Sequence, residues 1–263
     1  MKPASSYETH GYAAPIKVLS AIEAAKYRAK LEAAEEKLGS LHFKPSIYTL
    51  LRSAYELASH PAILDAVEAV IGPDIMLYDA TFIIKEPQTK AHVSWHQDLT
   101  YWGLSHTQKV TSTWLAISDA TPDNGCMQMI PGSHKFGQLD HLNTHDEDNV
   151  LYLSQEVQGV DLKSATHCPL KAGEASIHHG WTVHSSLPNT THDRRIGLNA
   201  QYIAPEVYNT AGIKIPAMLL RGENRFDHFI TEEPAIGEAD PVSIARHEIY
   251  AKTMVELYHS QHA

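Results

Sequence analysis

The chain has 263 residues, 43% of them hydrophobic, enough to bury one substantial core, and a single enlarged domain over 1–263 is expected. Its 31 Asp and Glu against 21 Lys and Arg leave a formal charge of −10, which removes the electrostatic drive toward nucleic acid or an anionic membrane and favours a small-molecule partner. Cys126 and Cys168 make neither a disulfide framework nor a CxxC zinc pair, and no apolar run is long enough to span a bilayer, so a cytoplasmic protein with reduced thiols is expected.

The helical part occupies about 1–72. In "SAIEAAKYRAKLEAAEEKLG", Ser20 and Glu23 have capping-box spacing, strong helix formers follow, and Gly39 supplies a stop. Ser46 to Ser59 and Pro61 to Ile71 read as two further helices, the second with Pro61 in its first turn and Gly72 past its end. From Asp74 the pattern changes to short β-rich segments between turns: "IMLYDATFIIKEP", "VTSTWLAISDA", "CMQMIPGSH", "EASIHHG" and "RIGLNAQYIAP". That spacing predicts a sandwich or barrel over about 73–210. Gly137 to Gln155 is polar and aperiodic, a surface insertion that could serve as a lid. Within the extension 211–263, Pro241 to about His259 reads as a helix.

In "SWHQDLTYW", His96 and Asp98 fall at i and i+2, on one face of a strand. Such a pair either hydrogen-bonds at an exposed strand end or shares a divalent cation, and HxD spacing alone does not decide between them. A second block, "IHHGWTVHSSLPNTTHDRRIGLNAQY", contains His184 followed by Ser186, Asn189, Thr191, Arg195 and Tyr202. Two imidazoles and one carboxylate form the facial triad of non-haem Fe(II) oxygenases, which leaves three coordination positions open. An arginine one strand beyond the distal histidine can clamp a carboxylate through two parallel hydrogen bonds. His178 and His179 compete with His184, but they are adjacent, so only one can face inward, and neither has Ser, Asn and Arg at matching offsets. For His134, which closes "NGCMQMIPGSH", a loop role and a substrate contact both stay open.

The order of "GYAAPIKVLS", the HxD stretch, "DNGCMQMIPGSHK" and the HxS…N…T…R…Y block resembles the phytanoyl-CoA dioxygenase family of Fe(II)- and 2-oxoglutarate-dependent oxygenases, over most of the chain. The resemblance implies a mainly β fold with α elements, a double-stranded β-helix or jelly roll with the N-terminal helices packed on one sheet and a C-terminal helix. It implies His96, Asp98 and His184 as iron ligands, Arg195 as partner of the distal carboxylate of 2-oxoglutarate, and Ser186 as a donor to the same end. Trp114 falls where the family lines the cosubstrate pocket, although barrel core is an equal reading; Arg194 alternates to the opposite strand face.

The implied cofactors are Fe(II), 2-oxoglutarate as cosubstrate and O2, and the implied reaction is hydroxylation of an unactivated C–H bond with release of succinate and CO2. The carboxylate of Asp98 favours hydroxylation over chlorination, since related halogenating enzymes carry a small residue there; desaturation and ring closure branch from the same chemistry. Tyr101, Trp102 and His106 follow the metal motif closely enough to wall a substrate pocket, and Asn124 and Gln128 could offer amide hydrogen bonds, with plain packing as the alternative for each. No concentrated Lys/Arg cluster suits a coenzyme A phosphate, which favours a small free metabolite. Two other classes stay open: a metal-dependent hydrolase or isomerase on a similar barrel, which leaves Arg195 without a task, and a non-catalytic small-molecule sensor.

Overall fold

The computed structural model describes residues 3–151 and 155–262, with side chains throughout except those of 3, 101 and 253–262. Helix α1 (Pro3–His10) and strand β1 (Tyr12–Lys17) precede helix α2 (Ala21–Leu38). The capping box forms as the spacing requires: the Ser20 hydroxyl accepts from the Glu23 N–H, and the Glu23 carboxylate accepts from the Ser20 N–H at 2.8 Å. Gly39, at φ 77°, ends the helix.

Two features depart from the sequence reading. Ser46 to Ser59 is not one helix: a 3-10 turn over Ile47–Thr49 and an extended Leu51 precede helix α3 (Arg52–Ala58). The cause is tertiary, since the Asp79 carboxylate accepts the Ser46 N–H at 2.6 Å and holds Ser46 in the left-handed region at φ 48°. Within the expected helical third, β1 was hidden because it lacks period-two alternation; it pairs antiparallel with β9 at a sheet edge, with Pro15 at a register shift where no ladder donor is needed.

Helix α4 (Pro61–Ile71) leads into strands β2 (Ile75–Lys85), β3 (Val93–His96), β4 (Val110–Ala116), β5 (Met127–Met129), β6 (His141–Asn143), β7 (Gln155–Val157), β8 (Thr166–Cys168), β9 (Glu174–His179), β10 (His184–Ser186), β11 (Arg195–Ile203), β12 (Pro216–Arg221) and β13 (Ile230–Thr231), and helix α5 (Pro241–His262) follows. A seven-stranded sheet in the order β1-β9-β4-β11-β2-β12-β13 faces a four-stranded sheet in the order β3-β10-β5-β8, the two-sheet arrangement of a jelly roll. The expected surface insertion at 137–155 contains strand β6, which pairs with β7; its residues 152–154 lie outside those described. Among the described residues, no helix is long and apolar enough to cross a membrane.

The large sheet divides its side chains between two tasks. Phe82, Ile84, Leu115, Ile177 and Leu198 join Leu31, Leu57, Ile63 and Val67 of the helices in the main core. Because successive residues alternate in direction, the other face presents Asp79, Thr81, Trp114, His178, Arg195, Asn199 and Gln201 to a cavity of about 300 Å³ between the sheets. Burying nonpolar side chains on the helix side is what holds this polar row in place.

Candidate metal centre

His96 and His184 are paired in the register of the adjacent antiparallel strands β3 and β10, so the two imidazoles come from neighbouring backbones. Asp98 lies two residues beyond the end of the strand, in a short 3-10 turn over Asp98–Tyr101, and the extended Gln97 brings it back to the side of His96. The expectation of one continuous strand is corrected there, while the shared face is kept.

One ligand atom from each of His96, Asp98 and His184 lies within 4.8 Å of the other two. The His96 and His184 Nε2 atoms are 3.4 and 3.6 Å from Asp98 Oδ1. The far nitrogens are occupied: His96 Nδ1 meets the Ser94 carbonyl and His184 Nδ1 the Thr182 carbonyl, both at 2.9 Å. A carbonyl can only accept, so each Nδ1 carries the proton and each Nε2 lone pair faces the cluster, the orientation a metal ligand requires. Burial, with His96 beside it, lowers His184 to about 3 and keeps it neutral. Burial acts to raise Asp98, but His184, His178 and His96 together hold it well below the ordinary carboxylate range. Two imidazoles with Nε2 turned to the cluster and a carboxylate fit a divalent iron, and the small donor set leaves room for further ligands.

Two residues outside the sequence assignment brace the carboxylate. The Ser112 hydroxyl donates to Asp98 Oδ2 at 2.8 Å, and His178 Nε2 stands 3.3 Å from the same oxygen. Of the adjacent histidines it is therefore His178 that faces the cluster, as a partner of the carboxylate, while His179 packs against Tyr7 and His134.

The cavity continues to Arg195, which is 1% exposed, with Nε and Nη2 both lacking a hydrogen-bond partner among the described residues. Its guanidinium lies 5.0 Å from the centre of the Trp114 ring, and burial lowers its pKa to about 10, so it stays cationic at neutral pH. A Cβ at Gly197 would come within 2.0 Å of the Trp114 ring, so only glycine leaves space for that stack. An unpaired buried cation with free donors is a cradle for an anion of bidentate geometry, and the distal carboxylate of 2-oxoglutarate fits it. Lys85 is the register partner of Arg195 and is itself buried, donating to the carbonyls of Ser186 (2.9 Å) and Leu187. Arg194 turns to the other side, where it pairs with Glu35 at 2.8 Å and Glu86 at 2.9 Å.

Ser186, Trp114 and Trp102 line the same cavity as the triad and Arg195. Three suggested substrate residues are not brought there. Asn124 spends its amide in a turn, accepting from the Thr121 N–H and donating to the Asp119 carbonyl. Gln128 contacts His167 and Ser185. The His106 ring stacks edge-on against Tyr208. In each, proximity along the chain to the motif misled, because the backbone turns the side chain elsewhere. The Tyr101 side chain lies outside those described. Sequence reasoning missed His178, Ser112, Lys85, Asp79 and Gln201; strand alternation counted forward from Arg195 would have found Gln201.

Comparison with known proteins agrees with this geometry. Over 131 residues the chain is 34% identical to phytanoyl-CoA dioxygenase 1 of Oryza sativa subsp. japonica, covering 48% of this chain and 43% of that protein. It is 25% identical over 161 residues to the peroxisomal phytanoyl-CoA dioxygenase of Homo sapiens, covering 60% and 48% respectively. The chain thus spans under half the length of these curated relatives. Among solved structures, the non-heme monooxygenase ThoJ in its apo form superposes with a TM-score of 0.82 and 29% identity over 97% of this chain and 99% of that one. Residues 7–197 match the family model of phytanoyl-CoA dioxygenase (PhyH), and the chain belongs to that family.

Proposed function

We propose that this protein is an Fe(II)- and 2-oxoglutarate-dependent dioxygenase that hydroxylates an unactivated C–H bond of a small-molecule metabolite, with release of succinate and CO2. The observation that carries this reading is the pairing of a His/Asp/His set, whose Nε2 atoms are freed by bonds at Nδ1, with a buried arginine that has no anionic partner. Bound iron and 2-oxoglutarate would supply the oxygen-activating chemistry. The chain's own residues then have separate tasks. His96, Asp98 and His184 hold the metal, and Ser112 and His178 fix the carboxylate. Arg195 anchors the far carboxylate with Trp114 as its platform, and Ser186, which lines the same cavity, donates to the same group. The enclosing sheets exclude water.

A hydrolase or isomerase using zinc would need the triad but gives Arg195 no role. The buried, free Cys126 and Cys168 suit a reducing compartment such as the cytoplasm. Anaerobic addition of Fe(II) and 2-oxoglutarate tests the reading: a weak visible charge-transfer band is expected with the wild type and not with His96→Ala or His184→Ala. A wild-type protein that binds Fe(II) yet never develops the band on adding 2-oxoglutarate refutes it.

A further inference from the structure

The polar row that braces Asp98 continues past it. Across β9, β4, β11 and β2, His178 lies opposite Ser112, Ser112 opposite Gln201, and Gln201 opposite Asp79. His178 and Ser112 engage Asp98. The other two members of the row line the open cavity. Gln201 is 7% exposed, and its Oε1 is buried with no hydrogen-bond partner. Asp79 accepts from the Ser46 and Ala80 N–H groups and the Ser46 hydroxyl, all through Oδ1. Among the described residues no Lys or Arg pairs with Asp79, and burial pushes its carboxyl up to about 6.

The cavity's charge inventory sharpens this. Arg195 is the one lysine or arginine among its described lining residues. It stands six residues back along β11 from Gln201, roughly 20 Å at the usual strand rise. A divalent metal, the Asp98 carboxylate, a 2-oxoglutarate dianion and Arg195 cancel one another, and Lys85 lies beside Arg195 at the far end of the paired strands, which leaves Asp79 a negative charge with no described Lys or Arg at its own end of the cavity. An uncompensated charge of that kind is costly to bury unless something positive joins it. An aromatic ring stands at that end: Trp102, which lines the cavity, packs 5.8 Å from Tyr78, the neighbour of Asp79. An aromatic face beside a carboxylate attracts a cationic nitrogen.

We infer that the substrate is a small molecule carrying a cationic nitrogen, seated between Asp79 Oδ2, the Gln201 amide oxygen and the ring of Trp102. Two strand spacings separate Asp79 from Ser112, so the nitrogen's seat lies on the order of 10 Å across the sheet from the residue that holds the metal-binding carboxylate, a span that a small amine bridges. This inference rests on the oxygenase reading, which fixes the other charges of the cavity.

The test is calorimetric titration of anaerobic protein loaded with Fe(II) and 2-oxoglutarate, using benzylamine, benzyl alcohol and benzoate as probes of near-equal shape. Benzylamine should bind at least about tenfold more tightly than benzyl alcohol, with benzoate weakest. Asp79→Asn, whose amide oxygen can still accept from Ser46 and Ala80, should erase the preference. Gln201→Glu, which adds a second carboxylate to the same seat, should strengthen it and guards against a folding defect in the first variant. An alcohol or benzoate that binds as well as the amine, an amine that does not bind at all, or an amine preference unchanged in both variants overturns the inference. The charge-transfer band is recorded on the same samples: its presence without amine preference sinks only this inference, whereas its absence sinks the oxygenase reading.

Discussion

Replacing Arg195 with methionine should separate what the residue does for the fold from what it does for the ligand. Its guanidinium is buried with two unpartnered nitrogens, so the unliganded protein carries a charge that stabilises nothing except its stack on Trp114. Arg195→Met keeps most of the volume and removes that charge, and the ligand-free protein should unfold at the same or a higher temperature. The 2-oxoglutarate response should collapse. Truncating one partner of a desolvated charge pair costs about 2–5 kcal/mol, and 2 kcal/mol corresponds to roughly a thirtyfold weaker Kd. At a concentration of about 100 wild-type Kd, ligand binding stabilises by ~2.7 kcal/mol, and a thirtyfold loss leaves ~0.9 kcal/mol. For a chain of this size each kcal/mol moves Tm by roughly 2–4 °C, so a shift of about 5–10 °C should fall to 2–3 °C or less. Differential scanning fluorimetry with the metal-loaded protein, with and without 2-oxoglutarate, reads both effects. Arg194→Ala is the control: it breaks pairs with Glu35 and Glu86 on the other side of the strand and should lower Tm slightly while keeping the full ligand shift. A full shift in Arg195→Met, or its loss in Arg194→Ala, refutes the assignment of the two arginines.

Asp98→Gly should lose most of its iron on dialysis and form little hydroxylated product, because one anionic ligand has gone; near-normal iron content and turnover would show that the carboxylate is only a partner of the neighbouring imidazoles. Lys85 supplies a pH signature. Burial first, and Arg195 beside it second, lower its pKa to about 6, so the ligand-free protein holds it neutral at pH 7.5. A carboxylate docking on Arg195 reverses the local charge and draws a proton back, so 2-oxoglutarate binding should take up close to one proton at pH 7.5 and weaken as pH rises above about 6. Calorimetry in buffers of different ionisation enthalpy measures that uptake, which Lys85→Met should abolish; an uptake unchanged in that variant would place the proton elsewhere.

The candidate His/Asp/His set and the arginine were legible in the sequence through the order of two motif blocks, not through the HxD spacing alone. His96 and Asp98 are two residues apart, and His184 and Arg195 lie on consecutive strands. The capped helix α2 and helix α4 were local, set by Ser20, Glu23 and Gly39 and by Pro61 and Gly72. What stayed hidden depends on pairing between strands far apart in the chain. Nothing near Asp79 indicates that it will face Gln201 across β2 and β11, or that its carboxylate will reach back to Ser46 and break a helix there. His178 looked like a failed ligand because sequence offsets cannot show that the neighbouring strand β4 carries Ser112 beside it. Asn124 and Gln128 had suitable chemistry and unsuitable direction, and direction is decided by turns whose geometry emerges only when the sheets pack.

The two unpaired charges have opposite signs and lie at opposite ends of one cavity, Arg195 at one and Asp79 at the other. On the inferred seating of the two ligands, that polarity would assign each its own end. A dicarboxylate at the Asp79 end would meet a like charge, and would gain a partner only at Arg195. An amine meets the reverse field and is held back from the arginine. Repulsion at the wrong end therefore sorts anion from cation, and it does so without a dedicated gate, because β11 carries both Arg195 and Gln201 and rigidly sets their separation. A substitution that neutralised only Asp79 should consequently weaken amine binding and, at the same time, let 2-oxoglutarate compete for the substrate end of the cavity.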